Sequence, residues 1–283
     1  MKIRSGALAA LSVLALAIPA LPAAAQEPAG SSILFDGMGF SFDPSLGASV
    51  NVTRVPGQSP QNDSPAAPDS PHLTFSLYGP KDEYAKVPRV GATPTVVTFF
   101  RIADLDGYTF DQQEVQRLRA ILADRPDPAM LATGNDRLPY LPPQVDAAQM
   151  MRARVGYVDL PGISGITYIT AFGQDVYPFT SDRFQYVFEG LSTDGAWAVS
   201  AIFDLTTDLF PAKVSQKDAN RITASQKAYD AYLAASRATL EGAARDAFSP
   251  TLDAADALIA SIVIEGAPAS EPAPPAPSAS PAA

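Results

Sequence analysis

The chain has 283 residues, with 30 Asp and Glu against 20 Lys and Arg, a formal charge of −10, and no cysteine. An acidic balance of this kind argues against nucleic acid and anionic membrane surfaces as partners, since both repel a negative protein. The lack of cysteine excludes disulfides, thiol nucleophiles, zinc–thiolate sites and iron–sulfur clusters, so the core alone must hold the fold.

Residues 1–25 read as an export signal. Lys2 and Arg4 form a basic start, residues 7–20 an apolar run, and Ala23-Ala24-Ala25 an A-x-A cleavage site before Gln26. The apolar run is too short for a convincing membrane span. No cysteine stands at the cleavage site, which excludes lipid attachment of the bacterial lipoprotein kind. The expected mature chain starts near Gln26, is not inserted in a membrane, and is periplasmic or secreted. Residues 26–32 are expected to be flexible, and residues 33–265 to form one domain.

Ile33, Phe35, Phe40 and Phe42 suggest a short strand or hairpin broken by Gly37 and Gly39. Residues 48–55 read as a second short strand, and residues 56–71 as loop. Leu73, Phe75 and Leu77 alternate in a strand over 72–78, and residues 95–102 form an apolar, β-branched run. A helix is expected from Asp111, with Glu114 completing a capping box and Val115, Leu118, Ile121 and Leu122 sharing a face. Pro126 and Pro128 end it, and residues 130–144 look irregular.

Four strands with short connections follow. The first, over 150–160, places Met151, Ala153, Val155 and Tyr157 on one face and Arg152 and Arg154 on the other. The second runs from Ile166 to Phe172. The third alternates Phe184, Tyr186 and Phe188 with Gln185, Val187 and Glu189. Asp194-Gly195 then marks a tight hairpin turn, because both residues tolerate positive φ. The fourth strand carries Trp197, Val199, Ala201, Phe203 and Leu205 on one face, with Ala198 and Ile202 on the other. Both faces are partly apolar, so the sheet should be covered on both sides. A long helix is expected over 218–248 and a second over 252–262. Residues 266–283 are rich in Pro, Ala and Ser and are expected to be disordered. The fold class is therefore α+β: an antiparallel meander packed by helices, like an α/β/α sandwich.

Few residues announce chemistry. His72 is the sole histidine and reads as an ordinary strand-end residue. Asp104 and Asp106 suggest weak calcium binding, but the EF-hand register places Ile102 and Gln113 at its first and twelfth positions, where neither supplies a carboxylate. Gly162-Ile163-Ser164-Gly165 lacks the spacing of a nucleophile elbow, and no P-loop or dinucleotide fingerprint is present, so no cofactor is expected. Arg152, Arg154 and Glu189, with Asp204, are charges inside strands. As cross-strand neighbours they would make either a polar binding face or a solvated face with ion pairs. Tyr140 lies in Leu138-Pro139-Tyr140-Leu141-Pro142, a rigid extended segment that either lines a groove or buries its three apolar side chains against the sheet.

That segment, Ala147-Ala148-Gln149, Phe188-Glu189-Gly190-Leu191, Asp194-Gly195 and Val199-Ser200-Ala201 resemble, in this order, a group of uncharacterised exported bacterial proteins. Ser192-Thr193-Asp194 stands where that pattern has Thr-Asp-Asp. The order of elements is also similar to the sandwich of Mog1/PsbP-like proteins, a likeness of fold only. The resulting expectation is a non-enzymatic periplasmic protein that binds a partner or small ligand in the cell envelope, with Arg152, Arg154, Glu189 and Tyr140 as candidate surface. The alternatives are an envelope-polymer hydrolase using paired carboxylates and an accessory subunit of an envelope complex.

Overall fold

A computed structural model describes residues 30–61, 68–79, 95–143 and 146–266. The expected export signal lies outside the described residues, as does the Pro-rich tail beyond Gly266. Among the described residues no helix is long and apolar enough to cross a membrane.

The chain opens with a hairpin of β1 (Ser31–Phe35) and β2 (Met38–Phe42). Asp36 and Gly37 both have positive φ in the turn between them, the geometry that matches the twist of two paired strands. β3 (Ser49–Val55), β4 (His72–Tyr78) and β5 (Thr95–Arg101) form a first meander. β6 (Ala148–Leu160), β7 (Ile163–Gly173), β8 (Phe184–Ser192) and β9 (Trp197–Leu205) form the second. β5 pairs with β9, which joins the meanders into one seven-stranded antiparallel sheet of order β3-β4-β5-β9-β8-β7-β6. The short β10 (Val263–Ile264) adds to β2, giving a separate three-stranded sheet.

The main sheet buries both faces, as its alternation predicts. Phe75, Phe99, Phe188 and Phe203 point to one side, where the small sheet and α5 (Leu252–Ala260) cover them. Phe100, Ile166, Tyr168 and Val187 point to the other, beneath α1 (Thr109–Asp124) and the Leu138–Leu141 segment. The fold is α+β, with an antiparallel sheet packed by helices.

Three helical expectations need correction. Asp111 does not cap α1. It lies inside the first turn, 2% exposed, and accepts a hydrogen bond from Ser70 Oγ at 3.0 Å, while Tyr108 holds the cap position without a side-chain bond. A capping box needs side chains beside free N–H groups, and this start of α1 is turned against the protein instead. Residues 130–144 are not irregular throughout, because residues 130–133 belong to α2 (Pro128–Thr133): Pro128 opens it, where its missing N–H costs nothing, and Asp127 caps it. The long helix is split into α3 (Gln216–Ile222) and α4 (Gln226–Gly242), because the Ser225 side chain accepts from Ala228 N–H and restarts the helix.

The most consequential correction lies in β6. Its pairing with β7 slips between Gln149 and Met151 and again between Ala153 and Gly156. Arg154 sits in the second slip at φ 51°, a left-handed conformation that a bulge can impose. The slip reverses the alternation. Met151 and Ala153 join the core under α5, whereas Val155 and Tyr157 pack on the α1 side.

Gly165 and Gly190 face each other across β7 and β8, and the ring of Phe188 lies over the pair. A Cβ on Gly165 would stand 2.5 Å from both Phe188 Cε2 and the Glu189 carbonyl oxygen. Glycine is required here by close approach, because the aromatic ring occupies the space a side chain would fill.

Candidate functional site

The structure separates the residues expected to share a surface. The Arg152 guanidinium donates to the carbonyls of Asp136 and Gly134, on the α1 side of the sheet. Arg154 reaches the other way, to the carbonyls at the C-terminus of α4: Leu240 at 2.7 Å, Glu241 at 3.2 Å, and Ala243. A cation there satisfies carbonyls left over at a helix end and complements its dipole. The bulge is the reason the two arginines part. Each ties a peripheral segment to the sheet edge, and they do not form one anion-reading fork.

Glu189 and Tyr140 meet, but inside the protein. Pro139 and Pro142 have no N–H, and the Leu138–Leu141 segment joins no sheet, so its remaining N–H groups need other acceptors. Leu138 donates to Gln149 Oε1 at 2.7 Å, Tyr140 to Glu114 Oε2 at 3.1 Å, and Leu141 to Glu189 Oε1 at 2.9 Å. Ser200 Oγ also donates to Glu189 Oε1, while Glu189 Oε2 is buried without a hydrogen-bond partner among the described residues. The Tyr140 hydroxyl donates to Gln185, and the Tyr168 hydroxyl to the Pro139 carbonyl. The acidic residues thus anchor a segment that sequence reasoning could place either against the sheet or along a groove.

Burial raises the pKa of both carboxyls. Glu189 is pushed well above its ordinary value of 4.5 by desolvation, against the donors from Leu141 and Ser200. Desolvation raises Glu114 too, against the nearby Arg137 and Arg117. These are two close acids, the pattern a carboxylate hydrolase would use, but among the described cavities neither lines one: Glu114 meets the nearest only through Arg117 and Arg137, which line it.

Glu189 makes the stability of the fold depend on pH. Below pH 4.5 both folded and unfolded chains are protonated there, and burial carries no ionisation penalty. As pH rises through that value the unfolded chain releases the proton first, so stability falls until Glu189 itself ionises. Glu189→Gln keeps the acceptor for Leu141 and Ser200 and removes the charge. It is expected to stabilise the fold by about 1–2 kcal/mol at pH 8 and to be neutral at pH 4. Urea unfolding at the two pH values checks this, and an equal shift at both would sink the account.

Several clefts open to solvent elsewhere, and one of them gathers side chains of the main sheet and the β1–β2 turn. A cleft of about 550 Å³ opens where the β1–β2 turn meets one end of the main sheet. β3 contributes Arg54, β4 His72 and Leu73, β5 Phe99 and Arg101, and β9 Trp197, with Asp36 and Met38 from the small sheet. Leu73 and Phe99, cross-strand partners, form a buried floor. Arg101 pairs with Trp197 across the next ladder, so both side chains leave the same face. Arg54 is held by Asp36 at 2.6 Å. Arg101 and Asp104, both exposed, make no ion pair or hydrogen bond among the described residues.

His72 borders this cleft at the start of β4, but its ring turns to the α1 face, away from Leu73 and Phe99. Its ring is half-buried, 5.2 Å from that of Phe100, and burial lowers its pKa despite the Ser70 carbonyl and nearby Asp69. Nδ1 lies 2.7 Å from the Ser70 carbonyl, which can only accept, so Nδ1 carries the proton and Nε2 is left as an acceptor. The Ser70 hydroxyl points away, to Asp111, whose carboxyl is raised by burial to about 6. There is no nucleophile–base pair in this arrangement, because serine and histidine do not bond through their side chains.

Asp104 belongs to a 3-10 turn over Ile102–Leu105, and Asp106 follows it. Among the described residues no group of three His, Asp or Glu side chains is placed to hold a metal ion. Sequence reasoning missed the cleft because its walls come from elements spread along the chain, from Asp36 to Trp197. The available signal was rarity: the sole histidine and the sole tryptophan both line it. No protein-family model matches the chain, and no curated protein or solved structure matches it either.

Proposed function

We propose that this is an exported protein of the periplasm that binds a small ligand, without catalysis, in the cleft between the β1–β2 turn and the main sheet. The observation that carries the reading is the cleft itself: about 550 Å³, within the size range of small-molecule sites, with an apolar floor and a few polar groups at the rim. The basic-apolar-A-x-A start of the chain and the resemblance to exported bacterial proteins support the location. The commitment of the Glu114 and Glu189 carboxyls to the Tyr140 and Leu141 N–H groups, and of the Ser70 hydroxyl to Asp111 rather than His72, favours binding over hydrolysis.

Native mass spectrometry of the chain, purified gently from its own cell envelope, tests this. A small added mass is expected, and Ala196→Trp, which fills the cleft from its rim, should remove it. A bare chain, or an adduct that survives Ala196→Trp, would overturn the assignment.

A further inference from the structure

The charges around the cleft are unevenly used. Arg54 and Asp36 close on each other at 2.6 Å and neutralise one another. Arg101 and Asp104 line the same space yet lie too far apart to form an ion pair, and each lacks a partner among the described residues. Opposite charges three residues apart in sequence ordinarily gain by pairing. Here one extends from the end of β5 beside Trp197, and the other stands on the following 3-10 turn. The cleft therefore offers a donor fork, a carboxylate and an aromatic wall, with a net formal charge of zero.

We propose that the cleft takes a zwitterion with an apolar body, meaning an apolar amino acid or a short apolar peptide. Its carboxylate sits on Arg101 and its ammonium on Asp104. Its body lies against Trp197, Phe99 and Leu73. This rests on the small-ligand reading above. A guanidinium matches a carboxylate through two parallel N–H bonds, and a carboxylate without a cation of its own suits an ammonium. A simple fatty acid would meet Asp104 uncompensated, and a simple amine would meet Arg101 in the same way. The charges thus select against both.

Trp197 is the sole tryptophan, so its fluorescence reports occupancy of the cleft in the full chain. The probes are leucine, leucyl-leucine, N-acetyl-leucyl-leucine, leucyl-leucine amide, and the dipeptide blocked at both ends. Leucine or leucyl-leucine is expected to give a saturable change, and the tighter of the two tells amino acid from peptide. Blocking either charge of leucyl-leucine should weaken binding about tenfold or more, the scale of a lost hydrogen bond to a charged group. Arg101→Gln should abolish the penalty for amidation alone, and Asp104→Asn the penalty for acetylation alone.

Equal binding of the doubly blocked dipeptide overturns the zwitterion and leaves the cleft reading standing. So does silence from all five probes when a native adduct is present. Silence from all five with no native adduct overturns both.

Discussion

Glu114→Ala is expected to cost about 3 kcal/mol of stability, the lower end of the range for breaking a buried ion pair. The lower end applies because Arg137, the main partner, is one-third exposed (33%) and partly screened by water, whereas the Glu114 side chain is 1% exposed. The variant also removes the acceptor of the Tyr140 N–H, which lies in a segment without sheet partners. Two effects therefore add: a lost charge pair between α1 and the chain leading into Pro139, and an orphaned backbone donor. Glu114→Gln separates them, since an amide oxygen still accepts from Tyr140 but carries no charge. Chemical unfolding should place it between wild type and Glu114→Ala. A loss below about 1 kcal/mol for the alanine variant, within the range of an ordinary exposed pair, would mean that Glu114 is not holding the segment down.

Gly165→Ala is expected to be comparably severe, about 3 kcal/mol, at the top of the usual range for overpacking. The added methyl meets two obstacles of different character. The Phe188 ring, 2.5 Å away, is a side chain that substitution can remove, whereas the Glu189 carbonyl oxygen, also 2.5 Å away, belongs to a central strand. Phe188→Ala combined with Gly165→Ala should therefore fail to recover the loss, and should add the cost of the cavity. Gly195→Ala is the contrast. It lies in the β8–β9 turn at φ 69° with no atom within 4 Å of a built Cβ, so only backbone strain is at stake, on the order of 1 kcal/mol. Thermal unfolding of the three variants tests the ranking, and a Gly195→Ala loss equal to that of Gly165→Ala would refute it.

What the sequence made legible was local. The Asp194-Gly195 hairpin, the period-two aromatics of β8 and β9 and the stripe of α1 are each set by neighbours within a few residues, and each is where the pattern puts it. The bulge at Arg154 was not legible. One extra residue in a strand leaves no compositional mark, yet it sends the next side chains to the opposite face. The inward turn of Asp111 and Glu114 was hidden for a related reason. The letters of a capping box are the same whether its acids face water or Ser70, Arg137 and Tyr140, and only tertiary packing decides. The candidate site was the least legible part. Arg54 and Trp197 meet at one cleft because two meanders are placed side by side, and no short-range pattern encodes that placement.

That placement bears on how the chain reaches its fold. Within the main sheet every ladder but one joins strands that follow each other in sequence, so each meander can zip from its own turns at little loop-closure cost. The exception is β5 against β9, where Phe100 stands opposite Ala198. Closing that seam means bringing together segments about a hundred residues apart, the kind of contact that slows folding most. The seam is then the last ladder expected to form, and it is also what sets Phe99 and Arg101 beside Trp197. The cleft would come into existence only at the final step of assembly, so an occupant that bridges Arg101 and Trp197 would stabilise the junction of the two halves and slow their separation.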